Sequence, residues 1–165
     1  MTKTVLLEAL REFTENCYRG YQLSAVPDNQ EDILTESDIH VFLMHTPTSN
    51  SKRKCVPYVV HSVLTGSDQQ KNGNFEESIA IVRSVFTVYN SDEQQGSLEL
   101  LEMMERFRIS LLEERVIGKQ FVLNLEEKLE SLIYPDISKT APFYTGEMSS
   151  VWNLPIIRRK VKIYE

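Results

Sequence analysis

The stretch that decides the fold is VFTVYNSDEQQGSLELLEMMERFR, from Val85 to Arg108. A dense apolar run gives way to a polar loop with one glycine, and a strongly helical segment follows. Strand, glycine-bearing loop and helix is also the order of a phosphate cradle. Such a cradle needs several glycines, so that backbone N–H groups can converge, and usually a lysine. Here the loop NSDEQQG carries Asp92 and Glu93, one glycine, and no Lys or Arg. The two carboxylates would repel a phosphate, whereas next to a helix N-terminus they stabilise the helix dipole. The stretch therefore reads as a structural corner, with Gly96 expected to bend the chain into the helix.

Working outward, Ser78–Tyr89 reads as a strand with apolar residues on both faces: Ile79, Ile81 and Val85 on one, Ala80, Val82, Phe86 and Val88 on the other. A strand of this kind belongs in the middle of a sheet covered on both sides, or covered on one by a neighbouring subunit. The helix is predicted over Ser97–Arg115. Its core stripe is Leu100, Met103, Met104, Phe107 and Leu111, widened by Leu101 and Leu112. After Gly118, strand alternation resumes over Gln120–Leu125. A last strand is expected over Tyr144–Ile156, with Met148, Ser150, Trp152 and Leu154 opposing Glu147, Ser149, Val151 and Asn153. Tyr134, Tyr144 and Trp152 read as core or interface aromatics.

Upstream, Val5, Leu6, Ala9, Leu10, Phe13 and Cys17 recur at helical spacing, with Glu8, Glu12 and Glu15 off that face. They predict a first helix from about Thr4 to Tyr18, ended near Gly20. Tyr21–Ser37 has no sustained period and reads as irregular, with one short strand or turn. Ile39–Met44 and Cys55–Thr65 read as strands, Pro57 marking a strand start or an edge. GSDQQKNGNFEE, about residues 66–77, has the composition of a long polar loop.

With 165 residues, 41% hydrophobic and 25% charged, the chain is expected to form a single domain over 1–165 with a real core. The net charge of −6 argues against a dedicated nucleic-acid binder. No apolar run is long enough to span a membrane, and Met1–Leu10 lacks a secretory pattern, so a cytosolic protein is expected. Cys17 and Cys55 form no metal-ligand spacing, and two free thiols fit a reducing compartment. No cofactor motif is present.

His40, His45 and His61, with Cys55, are the candidates for a metal-dependent enzyme. Their spacing matches no zinc pattern, and polar strand or loop histidines are the simpler reading. No GxSxG or HExxH occurs, and Glu102, Glu113 and Glu114 read as solvated helix residues. Two basic clusters stand out in an acidic chain: Lys52, Arg53 and Lys54, then Arg158, Arg159, Lys160 and Lys162 in the tail of about 157–165. The first reads as a solvated hairpin tip. The second is either a charge-protected strand edge or a contact for a charged partner.

The ordered series Tyr89, Asp92, Gly96, Glu105, Arg108, Gly118, Tyr144, Gly146, Trp152 and Pro155 resembles the tail terminator, or tail completion, proteins of long-tailed phages and prophages, which have relatives in phage-tail-like contractile bacteriocins. The resemblance runs over Ile79–Ile157, about half the chain. It implies an α/β (α+β) protein with helices packed on a mixed, mostly antiparallel sheet. It also implies a non-enzymatic ring, a hexamer, assembled in the bacterial cytoplasm as part of a virion or tail-like particle. Such a ring ends tail polymerisation by capping the tail tube protein, and the last sheath ring if the tail contracts. It then meets a head-connector or collar protein, with DNA only as passing cargo along an acidic wall. Expected partner contacts are Lys52, Arg53, Lys54, Asp92, Glu93, Arg158, Arg159 and Lys160. A neck or head-completion connector of the same particle is the structural alternative.

Overall fold

The apolar run that opens the deciding stretch becomes β5 (Phe75–Tyr89), flanked on both edges by long antiparallel partners, β4 (Tyr58–Lys71) and β9 (Phe143–Asn153). The computed structural model describes residues 2–27, 35–47, 55–71, 75–133 and 140–157. Beyond β4 lies β3 (His40–Leu43), the one parallel pairing in the sheet. The other edge of β9 pairs with β7 (Phe121–Leu123) and β8 (Glu130–Ile133), and β6 (Val116–Ile117) pairs with β7. β1 (Gln22–Ser24) and β2 (Glu36–Asp38) form a separate two-stranded ribbon, where one short strand or turn was expected. Two helices, α1 (Thr2–Cys17) and α2 (Glu93–Glu114), complete the described elements. This is an α+β fold with a mixed, mostly antiparallel sheet.

Both helices lie on one face of the sheet. Phe107 of α2 meets Phe13 of α1, Phe86 of β5 and His61 of β4. The alternation read in the sequence places Val59, His61, Val82, Phe86, Met148 and Trp152 on this face, all buried. On the opposite face Ile79, Ile81 and Val85 are only half-buried. That face lacks a helical cover among the described residues, so β5 is central but not covered equally on its two sides.

Several expectations are corrected. The polar segment 66–77 is not a long loop, because β4 runs to Lys71 and β5 starts at Phe75. The two strands continue their ladder past the helices as a ribbon. With no core to cover there, its residues are polar, and Ser78 donates to Asp68 (2.5 Å) and Gln69 to Glu77 (3.3 Å). A bulge between Val63 and Thr65 shifts the β4 register, which leaves Leu64 exposed and turns Thr65 toward Ile81's side of the sheet. In α1 the buried stripe is Leu6, Leu7, Leu10 and Thr14, while Val5 is exposed. In α2 the helix begins at Glu93, four residues earlier than expected, and Leu101 faces outward rather than widening the core stripe.

Gly96 is the most instructive correction. It lies inside α2, buried, so it is no bend into the helix. A Cβ there would overlap the ring of Tyr144 in β9. Two residues along β9, a Cβ on Gly146 would come within 2.6 Å of the Met104 sulfur of α2. Helix and strand thus exchange knobs: Tyr144 fills the gap left by Gly96, and Met104 fills the gap left by Gly146. Gly118, at φ +55°, makes a third close approach, with Ala9 of α1 directly over it.

This packing reverses the ordinary sign of a glycine substitution. In an unobstructed helix Gly96→Ala would stabilise by about 1 kcal/mol through propensity. Against the Tyr144 ring we predict instead a net loss of about 1–2 kcal/mol, since overpacking costs roughly 1–3. Urea unfolding measures it, and a stabilised variant would mean that Tyr144 has room to move.

Candidate functional site

The corner at Asn90–Gly96 spends its polar groups on itself. Asp92 is the α2 N-cap, in extended conformation, and its carboxylate accepts from the backbone N–H of Gln95 at 2.8 Å. The Asn90 side-chain oxygen accepts from the Asp92 N–H (2.9 Å), and its amide donates to Glu99 (3.1 Å). Glu93 sits in the first turn, where the dipole favours it. Tyr89 packs against Phe143 on the far face of the sheet. The acids therefore stabilise the helix start, as the sequence indicated. Farther along α2, Arg106 lies 4.4 Å over the Tyr21 ring. Burial, then Glu102, push the Tyr21 phenol up to about 12, against the opposing pull of Arg106.

Deeper in the core is a polar chain that the sequence did not announce. His61 is fully buried, its ring stacked on Phe107. Its Nε2 lies 2.8 Å from the Thr14 hydroxyl, and its Nδ1 lies 2.8 Å from the Ser84 hydroxyl. Thr14 gives its own proton to the Leu10 carbonyl (2.6 Å), so toward His61 it can only accept. The imidazole must therefore carry its proton on Nε2, leaving Nδ1 to accept from Ser84. Every group is satisfied and the ring is neutral. Serine, histidine and threonine meet here, but with no path for a substrate.

The histidines do not converge. His40 stacks with Phe42, whose ring packs on Tyr58, on the face opposite His61. His45 is exposed beyond the end of β3. Among the described residues no group of three or more His, Cys, Asp or Glu side chains is placed to hold a metal ion. No helix of the described residues is long and apolar enough to cross a membrane.

Of the other residues singled out, Glu105 and Arg108 form an exposed fork on α2, with two N–H donors reaching the carboxylate at 2.8–2.9 Å. Trp152 is fully buried and donates to Ser150 (2.9 Å), and Pro155 follows Leu154 at the end of the sheet. Lys52, Arg53 and Lys54, then Arg158, Arg159, Lys160 and Lys162, and also Tyr134, lie outside the described residues.

Two surface features escaped sequence reading. The outward side of α2 carries Leu98, Leu101 and Ile109, 53%, 44% and 47% exposed, around the Glu105–Arg108 pair. At 100° per residue, Leu98 and Ile109 stand opposite the core stripe, where a surface helix normally carries charge. The second feature is a groove of about 920 Å³ between α1 and the α2–β6 turn. Phe13, Val116 and Ile117 give it apolar walls, and Glu12, Glu113 and Glu114 stand around it.

Comparison of the sequence with family models and with curated proteins gave no match.

Burial holds the His61 imidazole down to about 3, against an ordinary value near 6.5. The unfolded chain therefore takes up this proton first. The stability owed to neutral His61 is whole above pH 6.5 and is lost as the pH falls toward 3. Between pH 6.5 and 4.5 we expect this group alone to remove about 2–3 kcal/mol, with the His61 ring resonance unshifted in NMR of the folded protein. A His61 resonance that titrates near pH 6.5 would contradict the buried relay.

Proposed function

We propose that this chain is a structural subunit of a ring that caps a phage or phage-like tail tube, ends its polymerisation and presents a surface to the head connector or collar. In a contractile particle the same ring meets the last sheath ring. The observation that carries the reading is the ordered series from Tyr89 to Pro155. Within that series Gly96 of α2 packs on Tyr144 of β9, and Gly146 of β9 packs on Met104 of α2, so part of the likeness lies in the packing of helix on strand. Two further features support an assembly role. Leu98, Leu101 and Ile109 are large apolar side chains exposed on the outward side of α2 around the Glu105–Arg108 pair, where association would bury them. The sheet face away from the helices keeps Ile79, Ile81 and Val85 half-buried, with the Arg83–Glu147 ion pair among them.

Light scattering and negative-stain imaging of the purified chain, alone and with tail-tube protein, test this reading. Rings capping the tubes and a narrowed tube-length distribution are expected. A chain that stays monomeric and leaves tube length unchanged rejects it, and binding to connector protein without binding to tube protein would make it a neck protein instead. Arg108→Ala separates surface from core: its pair with Glu105 is solvent-exposed. The urea midpoint is expected to stay unchanged while assembly weakens. Equal loss of both would give Arg108 an internal role.

A further inference from the structure

The groove beside α1 and the C-terminal segment have matching chemistries. The groove joins apolar walls (Phe13, Val116, Ile117) to three exposed carboxylates (Glu12, Glu113, Glu114), with Lys119 as the cation among its described lining residues. It borders β6, the last strand of the sheet, whose outer edge has no partner strand among the described residues. Such an edge is a ready template for an added strand.

Residues 158–165, RRKVKIYE, hold four basic side chains and one acidic one in a chain whose net charge is −6, so the remainder is more acidic than the whole. By strand alternation, Arg159, Val161 and Ile163 share one face and Arg158, Lys160 and Lys162 the other. The described chain becomes more exposed as it approaches this segment. Leu154 is buried, but Ile156 and Ile157 are 50% and 83% exposed. Eight further residues, extended, reach about 26 Å, enough to cross to an adjoining subunit.

We infer that residues 158–165 of one copy dock in the α1–β6 groove of a second copy. Val161 and Ile163 turn into the groove over Phe13 and Ile117, the segment's backbone extends the sheet beyond β6, and Lys160 and Lys162, on its outward side, bend their long stems around it to Glu12, Glu113 and Glu114 at the rim. The inference deepens the ring reading and rests on it, since it names the contact between neighbours. A tail seated in the next subunit's groove is a head-to-tail contact, the kind that closes into rings.

Cys17 lines the groove, half-buried, and provides the test. In the full chain carrying Cys55→Ser, the change Arg159→Cys places a thiol on the face of the segment that turns toward the groove. Mild oxidation is expected to give a ladder of disulfide-linked multimers on a non-reducing gel, abolished by Cys17→Ser. Lys160→Glu with Lys162→Glu should slow that cross-linking at least about tenfold. Adding Glu113→Lys with Glu114→Lys should restore it. A disulfide confined to the monomer would put each tail in its own groove and overturn the inference, as would the lack of any Cys17-dependent product. The two readings fail separately. A Cys17-dependent ladder without rings in images keeps the docking and rejects the ring, and rings that ignore tail charge and give no cross-link reject the docking alone.

Discussion

The exchange of knobs between α2 and β9 is the constraint on which the rest of the structure depends. Two glycines, one on each partner, let a tyrosine ring and a methionine sulfur cross the interface in opposite directions. That reciprocity fixes where α2 lies along the strand as well as how close it comes. With α2 fixed, Phe107 is brought over Phe86 and His61, and Phe13 of α1 closes the other side of the same ring. The N-cap at Asp92 then sets where the helix starts, and the corner that first suggested a phosphate cradle becomes the hinge between central strand and principal helix.

Outside this core the described surface carries both charge and exposed apolar side chains. The place where Ser84, His61 and Thr14 meet is sealed, neutral and saturated with hydrogen bonds. The charged fork of Glu105 and Arg108 stands in solvent among exposed leucines and an isoleucine. The acidic groove lies at a sheet edge that another strand can extend. Exposed apolar side chains on α2, a half-covered sheet face and, among the described residues, a sheet edge without a partner strand are the observations on which the proposed assembly rests.

Much of the fold was legible because period carries it. Alternation over Ser78–Tyr89 and Tyr144–Ile156 named the two strands and their inner faces, although the second ends at Asn153, and the 3.6-residue stripe of α2 named its core. The misses have physical causes. In the ribbon, residues 66–70 and 76–78 are small or polar, so composition imitated a loop. Leu101 sits one step round the helix from Leu100, close enough to pass for core when only the apolar count is read. Gly96 was misread because its reason lies across the interface, in Tyr144, 48 positions away in the sequence. Thr14, His61 and Ser84 come from three elements, and no local pattern announces their meeting. The groove is a matter of shape, which a linear sequence does not display. The histidines could be weighed by spacing alone, and the placement of His40 and His61 on opposite faces now separates them in space.

If the glycine-for-knob exchange governs the domain, the two sides of one knob must be energetically coupled. A double-mutant cycle on Gly146→Ala and Met104→Ala, followed by urea unfolding, measures that coupling directly. Gly146→Ala alone should cost about 1–3 kcal/mol through overlap with the sulfur, and Met104→Ala alone about 2–5 kcal/mol through the cavity it leaves. Together they should cost at least about 1 kcal/mol less than the sum, because the new methyl enters the vacated space. Strict additivity would show that Gly146 and Met104 do not share that space, and would contradict the account of how α2 is held on the sheet.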